Sequence, residues 1–219
     1  INKIVFTGST ATGKRIMQSA SVNLKRLTLE LGGNDAGIVL PDVQVDAVAP
    51  KIFSACFHNS GQTCAALKRL YVHESQYEEF GEALTTLAKK VVVGNGLDES
   101  TELGPVQNPA QLKIVEDLVA SAKQQGGRIL VGGKRIDRDG FFFEPTLIAD
   151  LSDGSRLVDE EPFGPVLPII KYADIDEVIE RANRNSQGLG GSVWSADLDK
   201  ASALAQRLES GSAWVNDHG

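Results

Sequence analysis

At 219 residues, 42% hydrophobic and 23% charged, the chain can bury a sizeable core and reads as one large or two small globular domains. Lys+Arg 22 against Asp+Glu 29 leaves a formal net charge of -7, which argues against a nucleic-acid or anionic-membrane surface. No apolar run approaches a membrane span, and two cysteines make no disulfide framework, so a reducing, cytoplasmic setting is expected. Ile1 to Phe6 start inside a strand pattern with no signal-peptide pattern, and Trp214 to Gly219 stop just after one, so the chain is expected to be a fragment of a longer protein.

Ile4 to Phe6 reads as a short buried strand, followed by Thr7-Gly8-Ser9-Thr10-Ala11-Thr12-Gly13 and an amphipathic helix from Lys14 to about Ser21. Strand, glycine turn and helix in that order leave backbone N–H groups at a helix N-terminus, a natural seat for phosphate; the plain alternative is a tight turn with no ligand. Gly8, four residues, then Gly13-Lys14 also matches most of a P-loop, but Arg15 stands where Ser or Thr would hold magnesium.

Leu27 to Leu31 reads as a second strand and places Glu30 in the run Leu27-Thr28-Leu29-Glu30-Leu31-Gly32-Gly33. A carboxylate among apolar neighbours is costly to ionise and suits a general base; equally, alternation puts Thr28 and Glu30 on one face of an edge strand. The paired glycines loosen the chain, and we place a domain boundary there, residues 1–32 before it and 33–219 after. Ala36 to Leu40 is a strand ended by Pro41-Asp42, and Val45 to about Asn59 a helix that contains Pro50.

Asn59-Ser60-Gly61-Gln62-Thr63-Cys64-Ala65-Ala66 follows, a loop of small residues around one of the two cysteines. Thiols react as thiolates and need an approachable loop, which makes Cys64 a candidate nucleophile, although a lone cysteine is more often a small buried hydrophobe. Cys56, inside the preceding helix, is read as core. His58 lies six positions before Cys64 but has no third group to orient it as a hydrolase base, and no Cys/His spacing forms a metal site.

Lys68 to His73 alternates as a strand, and Ser75 with Glu78 predicts a capping box for a helix through about Val92. Asn108-Pro109 opens a helix that Gly126-Gly127 closes, and Arg128 to Val131 is a strand. After turns at Gly132-Gly133 and Asp139-Gly140, Phe141 to Ile148 reads as extended, its three phenylalanines as a buried or interface strand. The acidic run Asp159-Glu160-Glu161 reads on its own as a solvated loop. Val166 to Tyr172 and Gly191 to Ser195 are strands, Asp174 caps a helix to about Asn183, Leu198 to Glu209 is a helix, and Ala213 to Asn216 a last strand. Alternating helices and strands predict an α/β fold, a mainly parallel sheet covered by helices.

Phe6-Thr7-Gly8-Ser9, Leu29-Glu30-Leu31-Gly32-Gly33, Gly61-Gln62-Thr63-Cys64 and Glu160-Glu161-Pro162-Phe163-Gly164-Pro165 together resemble the NAD(P)-dependent aldehyde dehydrogenase superfamily, in the same order. The intervals are 64 − 30 = 34 and 161 − 64 = 97 positions. Weaker echoes at Gly104-Pro105, Gly132-Gly133, Phe143-Glu144-Pro145-Thr146 and Trp214-Val215-Asn216 extend the resemblance over the whole chain, which would be about the second half of such an enzyme.

The resemblance implies an aldehyde-dehydrogenase-like catalytic domain, in residues 33–219, preceded by the end of a dinucleotide-binding domain. It implies that Cys64 attacks an aldehyde, with the oxyanion held partly by its own N–H, and that Glu30 activates the water that hydrolyses the resulting thioester. Gly8 and Ser9 match positions near the pyrophosphate of NAD or NADP, Leu31 one beside the nicotinamide, Glu161 one that binds ribose hydroxyls, and Phe163 one that lines the nicotinamide end. A glutamate at position 30 favours hydrolysis over acyl transfer to coenzyme A, while Asn34 departs from the lysine of many members. The expected partners are a small aldehyde and copies of the parent enzyme in a homodimer or homotetramer; no metal, nucleic acid or membrane is expected. The rival reading is a scaffold that binds a partner without turnover.

Overall fold

The computed structural model describes residues 1–219, which form two separate sheets. Strands β1 (Lys3–Thr7) and β2 (Arg26–Glu30) pair in parallel, from Lys3 opposite Arg26 to Thr7 opposite Glu30. Helix α1 (Thr10–Ser21) connects them and starts earlier than the sequence pattern. Ser9 is the reason: its extended backbone and its side chain, which accepts the Thr12 N–H at 3.3 Å, start the helix at Thr10.

The rest of the chain alternates β3 (Asp35–Val39), α2 (Val45–Phe57), β4 (Leu67–His73), α3 (Tyr77–Ala88), α4 (Pro109–Gln124), β5 (Arg128–Val131), β6 (Thr146–Ala149), α5 (Arg156–Asp159), β7 (Val166–Tyr172), α6 (Ile175–Asn183), β8 (Gly190–Trp194), α7 (Leu198–Ala205) and β9 (Ser212–Val215). The seven strands lie in the order β5-β6-β7-β4-β3-β8-β9, and only the β5–β6 pair is antiparallel. This is the expected helix-covered, mainly parallel α/β sheet. Both faces are buried because successive side chains of a strand point opposite ways. Ile38, Leu40, Tyr71, Ile170 and Val193 pack with α4, α6 and α7; Val39, Leu70, Val72, Ile169 and Trp194 pack with α2 and α3.

Pro50 lies inside α2, and the helix runs on to Phe57. The capping box predicted from Ser75 and Glu78 is absent. His73 Nδ1 instead accepts the Ser75 N–H at 3.3 Å over a short 3₁₀ turn, and Glu78 turns away to pair with Arg128 at 3.0 Å. Helix α3 ends at Ala88 rather than near Val92, whose N–H is drawn off by the Glu102 carboxylate at 2.9 Å. Of the expected extended run Phe141 to Ile148, pairing begins at Thr146; Phe143 makes only an isolated bridge to Arg135. Helix α7 likewise stops at Ala205, where Arg207 and Leu208 bond back three residues and tighten the turn. No helix is long and apolar enough to cross a membrane.

Candidate active site

The loops that enter β3, β4, β7 and β8 converge at the amino ends of these parallel strands. Gly33 shows how closely: a Cβ there would lie 2.6 Å from the Cys64 carbonyl oxygen and 2.9 Å from the Leu189 Cβ. Only a residue without a side chain fits between the thiol loop and the approach to β8. The two-stranded sheet ends at the same place, since β2 finishes at Glu30 and the chain passes through Leu31 and Gly32 into Gly33.

The thiol loop is held from several sides. After α2, Asn59, Ser60 and Gly61 take positive φ values of 52°, 58° and 71°, reversing the chain. A Cβ on Gly61 would lie 2.3 Å from the Gly164 carbonyl oxygen, so both conformation and space require glycine there. Gln62 donates to the carbonyls of Asn59 (3.1 Å) and Pro105 (3.2 Å) and accepts the Gln107 N–H (2.8 Å), while Ser60 donates to the Gly104 carbonyl (2.8 Å). The Cys64 side chain is half-buried, and its backbone N–H donates to no backbone or side-chain acceptor of the chain. Cys56 differs: it is fully packed in the core, and burial pushes its thiol well above the usual range.

Glu161 reaches this junction from the loop before β7. One carboxylate oxygen, Oε1, accepts the Gly33 N–H at 3.2 Å and lies 3.0 Å from Lys68 Nζ. The other, Oε2, lies where a Gly32 side chain would be: a Cβ there would be 2.0 Å from it. Lys68 Nζ also donates to the Cys64 carbonyl at 2.7 Å and lies 5.9 Å from the centroid of the Phe163 ring. Asn34 steadies the segment from behind, its amide donating to the Val158 carbonyl of α5 at 2.9 Å. That gives a structural role to the residue that departs from the family pattern.

Gly8, Ser9 and Leu31 sit on the two-stranded sheet. The Gly8 N–H donates to the Glu30 carbonyl at 3.0 Å, which fixes the glycine turn beside the end of β2. Leu31 packs on Gly13, where a Cβ would lie 2.7 Å from Leu31 Cδ2. The first-turn N–H groups of α1 have no intrahelical acceptor, and Ser9 takes only that of Thr12. Glu30 is exposed at the end of β2, as the edge-strand alternative has it, and is not walled by apolar groups. The structure thus joins Cys64, Gly33, Glu161 and Phe163 around Lys68, and the Glu30 side chain bonds to none of them.

A cleft of about 700 Å³ opens beside the thiol loop, lined by Lys51, Ser54, His58, Thr63, Ala65 and His218 among others. Thr63 and Ala65 flank Cys64, although Cys64 does not itself line the cleft. His58 is exposed there and makes no bond to the thiol. Sequence reasoning missed Lys68 as a member of the site; the available signal was a lysine in a strand whose other positions are fit for burial on both faces.

Fold and site together define an α/β protein with a half-buried thiol in a glycine-built loop, beside a lysine–glutamate pair where two sheets meet. The chain belongs to the aldehyde dehydrogenase family, which it matches over residues 1–219. It is 45% identical over 219 residues to an aldehyde dehydrogenase of Enchytraeus buchholzi, covering 100% of this chain and 44% of that protein. It is 42% identical over 217 residues to the mitochondrial aldehyde dehydrogenase of Homo sapiens, covering 99% of this chain and 42% of that protein. Among solved structures, the NAD+ complex of an aldehyde dehydrogenase from Bacillus cereus superposes with a TM-score of 0.97 at 37% identity, covering 100% of this chain and 45% of that one. The chain therefore spans less than half the length of the relatives it matches.

Proposed function

We propose that the chain is the catalytic part of a NAD(P)-dependent aldehyde dehydrogenase of the hydrolytic kind, which converts an aldehyde to a carboxylic acid. The observation that carries this is the joining of Cys64, Gly33 and Glu161 around Lys68, in a chain that matches the family throughout. In this reading residues 1–32 end the dinucleotide-binding domain and residues 33–219 form the catalytic domain.

The residues present fit a dinucleotide. Open N–H groups at the start of α1, reached through Gly8 and Ser9, suit a pyrophosphate; the Glu161 carboxylate suits a ribose diol; Leu31 and Phe163 offer apolar walls for a nicotinamide. Bound there, NAD or NADP would accept the hydride that the aldehyde carbon gives up. The Cys64 sulfur adds to the aldehyde carbon, and the oxyanion takes a hydrogen bond from the Cys64 N–H, which is uncommitted in this structure. After oxidation the acyl group is a thioester on Cys64. Water adds to it, Glu30 accepts the water's proton, and the thiolate leaves with the acid released.

On its own this chain is expected to be inactive. Val5, Met17, Val22 and Leu24, on and around α1 and β1, are 66%, 55%, 86% and 89% exposed, and a two-stranded sheet with one helix leaves them uncovered. We propose that the remainder of the protein covers them, completes the dinucleotide site and pairs as a homodimer or homotetramer. The test is to incubate the full-length protein and the 219-residue chain with a panel of short aliphatic and aromatic aldehydes and either NAD or NADP, following absorbance at 340 nm. Turnover by the full-length protein alone, abolished by Cys64→Ala, is expected. No turnover by the full-length protein with any aldehyde would refute the reading.

A further inference from the structure

Lys68 is the second residue of β4, is 2% exposed, and holds its ammonium among groups that have no need of it for packing. A charge taken out of water is costly unless paired, and an apolar side chain at this position would fill the space at less cost. What the ammonium does instead is join the thiol loop to the loop before β7. It donates to the Cys64 carbonyl at 2.7 Å, pairs with Glu161 Oε1 at 3.0 Å, and faces the Phe163 ring at 5.9 Å. The same Oε1 accepts the Gly33 N–H, so the position of the carboxylate is set by one strand-borne cation and one backbone amide.

We propose that Lys68 is a positioning residue for the dinucleotide: anchored at the Cys64 carbonyl, its buried ammonium fixes the Glu161 carboxylate and with it the seat of a ribose. This rests on the reading of Glu161 as a cofactor-binding carboxylate. Lys68 touches no reacting atom in this scheme and acts through Glu161. Carried by β4, two residues past the end of the thiol loop, it holds the Glu161 carboxylate in register with that loop. Without it, Glu161 retains only the Gly33 amide and swings toward solvent, to which it is already 17% exposed.

The test is calorimetric titration of NAD into the full-length enzyme and its Lys68→Met, Glu161→Gln and doubly substituted forms, with thermal melts to show that each is folded. Lys68→Met is expected to weaken NAD binding about tenfold and to raise the KM for NAD similarly, while the KM for aldehyde stays within about twofold; in the Glu161→Gln background the same change should cost nothing further. Lys68→Gln, which keeps a donor for the Cys64 carbonyl but no charge for Glu161, should behave like Lys68→Met, and it closes the cycle if the methionine form does not fold. Unchanged NAD affinity in the single variants, losses that add in the double variant, or a wild-type enzyme that binds no NAD would each overturn the proposal. A wild-type enzyme that binds NAD but oxidises no aldehyde would refute the proposed function and leave this inference standing.

Discussion

Gly32 and Glu161 stand in a relation that neither could keep with another partner: a Cβ on Gly32 would lie 2.0 Å from Glu161 Oε2. The absent side chain is the space the carboxylate occupies. Gly33, one residue on, has the same closeness to atoms that cannot move, with the Cys64 carbonyl oxygen 2.6 Å from a Cβ there. Adjacent glycines therefore carry different constraints, one on the Glu161 carboxylate and one on the backbone.

Substitution separates them. Gly32→Ala meets the end of a flexible side chain, so the full-length enzyme is expected to fold with little change in melting temperature while its KM for NAD rises about tenfold, roughly 1.4 kcal/mol in binding. Gly33→Ala meets backbone and is expected to cost about 1–3 kcal/mol of stability, read as a drop of several degrees in Tm. Equal effects of the two on Tm, with no effect of Gly32→Ala on KM, would show that Glu161 is not held where the structure places it.

The two thiols should differ in reactivity by position alone. Cys56 is packed inside α2, where burial pushes its thiol up and closes access, while Cys64 is half-buried at a turn. Brief treatment of the folded protein with iodoacetamide near pH 7.5, followed by peptide mass spectrometry, is expected to find carbamidomethylation at Cys64 and very little at Cys56. Comparable labelling of both before unfolding would mean that the core around α2 opens freely.

How far the sequence could be read depended on whether a feature was local. Strand β7 and helix α6 were legible to the residue because an unbroken apolar run and the Asp174 cap are signals carried by neighbours; the Asp174 side chain accepts the Glu177 N–H at 2.8 Å. The capping box at Ser75 failed because both its members had better partners, His73 nearby and Arg128 across the fold. Glu160 and Glu161 look alike in sequence. Glu160 pairs with Arg156 four residues back at 2.7 Å on the surface, as a solvated loop predicts, whereas Glu161 turns inward to residues 93 and 128 positions away (161 − 68 and 161 − 33). Only the resemblance to a family singled out Glu161. Lys68 was missed for the same reason: its setting in a strand fit for burial was a signal, but the partners that explain a buried lysine are distant in sequence.

Alkaline stability offers a test of the core that is independent of function. Tyr71, Tyr77 and Tyr172 are the chain's three tyrosines, and burial is the main cause that raises each: Tyr77 to about 12, the other two further. A raised folded-state value means that the native protein holds protons which the unfolded chain, titrating near pH 10, releases. The contribution to stability is thus fully present below about pH 10 and is lost as pH climbs through 10 toward 12 and beyond. Chemical denaturation of the 219-residue chain at a series of pH values is expected to show a falling midpoint above pH 10, with absorbance at 295 nm reporting no tyrosinate in the native baseline at pH 10. Early ionisation of any tyrosine in the folded chain would show that its hydroxyl is not buried as described.

Glu30 gives the sharpest division between the two halves of the proposed reaction. In that reaction, formation of the thioester would need Cys64, an oxyanion donor and a bound NAD or NADP to take the hydride, while the exposed Glu30 carboxylate, bonded to no group of the thiol loop, would be required only when water must lose a proton. Glu30→Gln preserves size and hydrogen-bonding capacity but removes the base. In the full-length enzyme it is expected to leave a burst of reduced cofactor close to one equivalent per active site, followed by steady-state turnover lowered by about 10²- to 10⁴-fold. Stopped-flow absorbance at 340 nm distinguishes the outcomes, with quenched samples examined by mass spectrometry for an acyl adduct on Cys64. A burst that disappears together with turnover would place Glu30 in the acylation half, as activator of the thiol. Unchanged steady-state turnover would remove it from the mechanism and leave thioester hydrolysis to a base elsewhere in the protein.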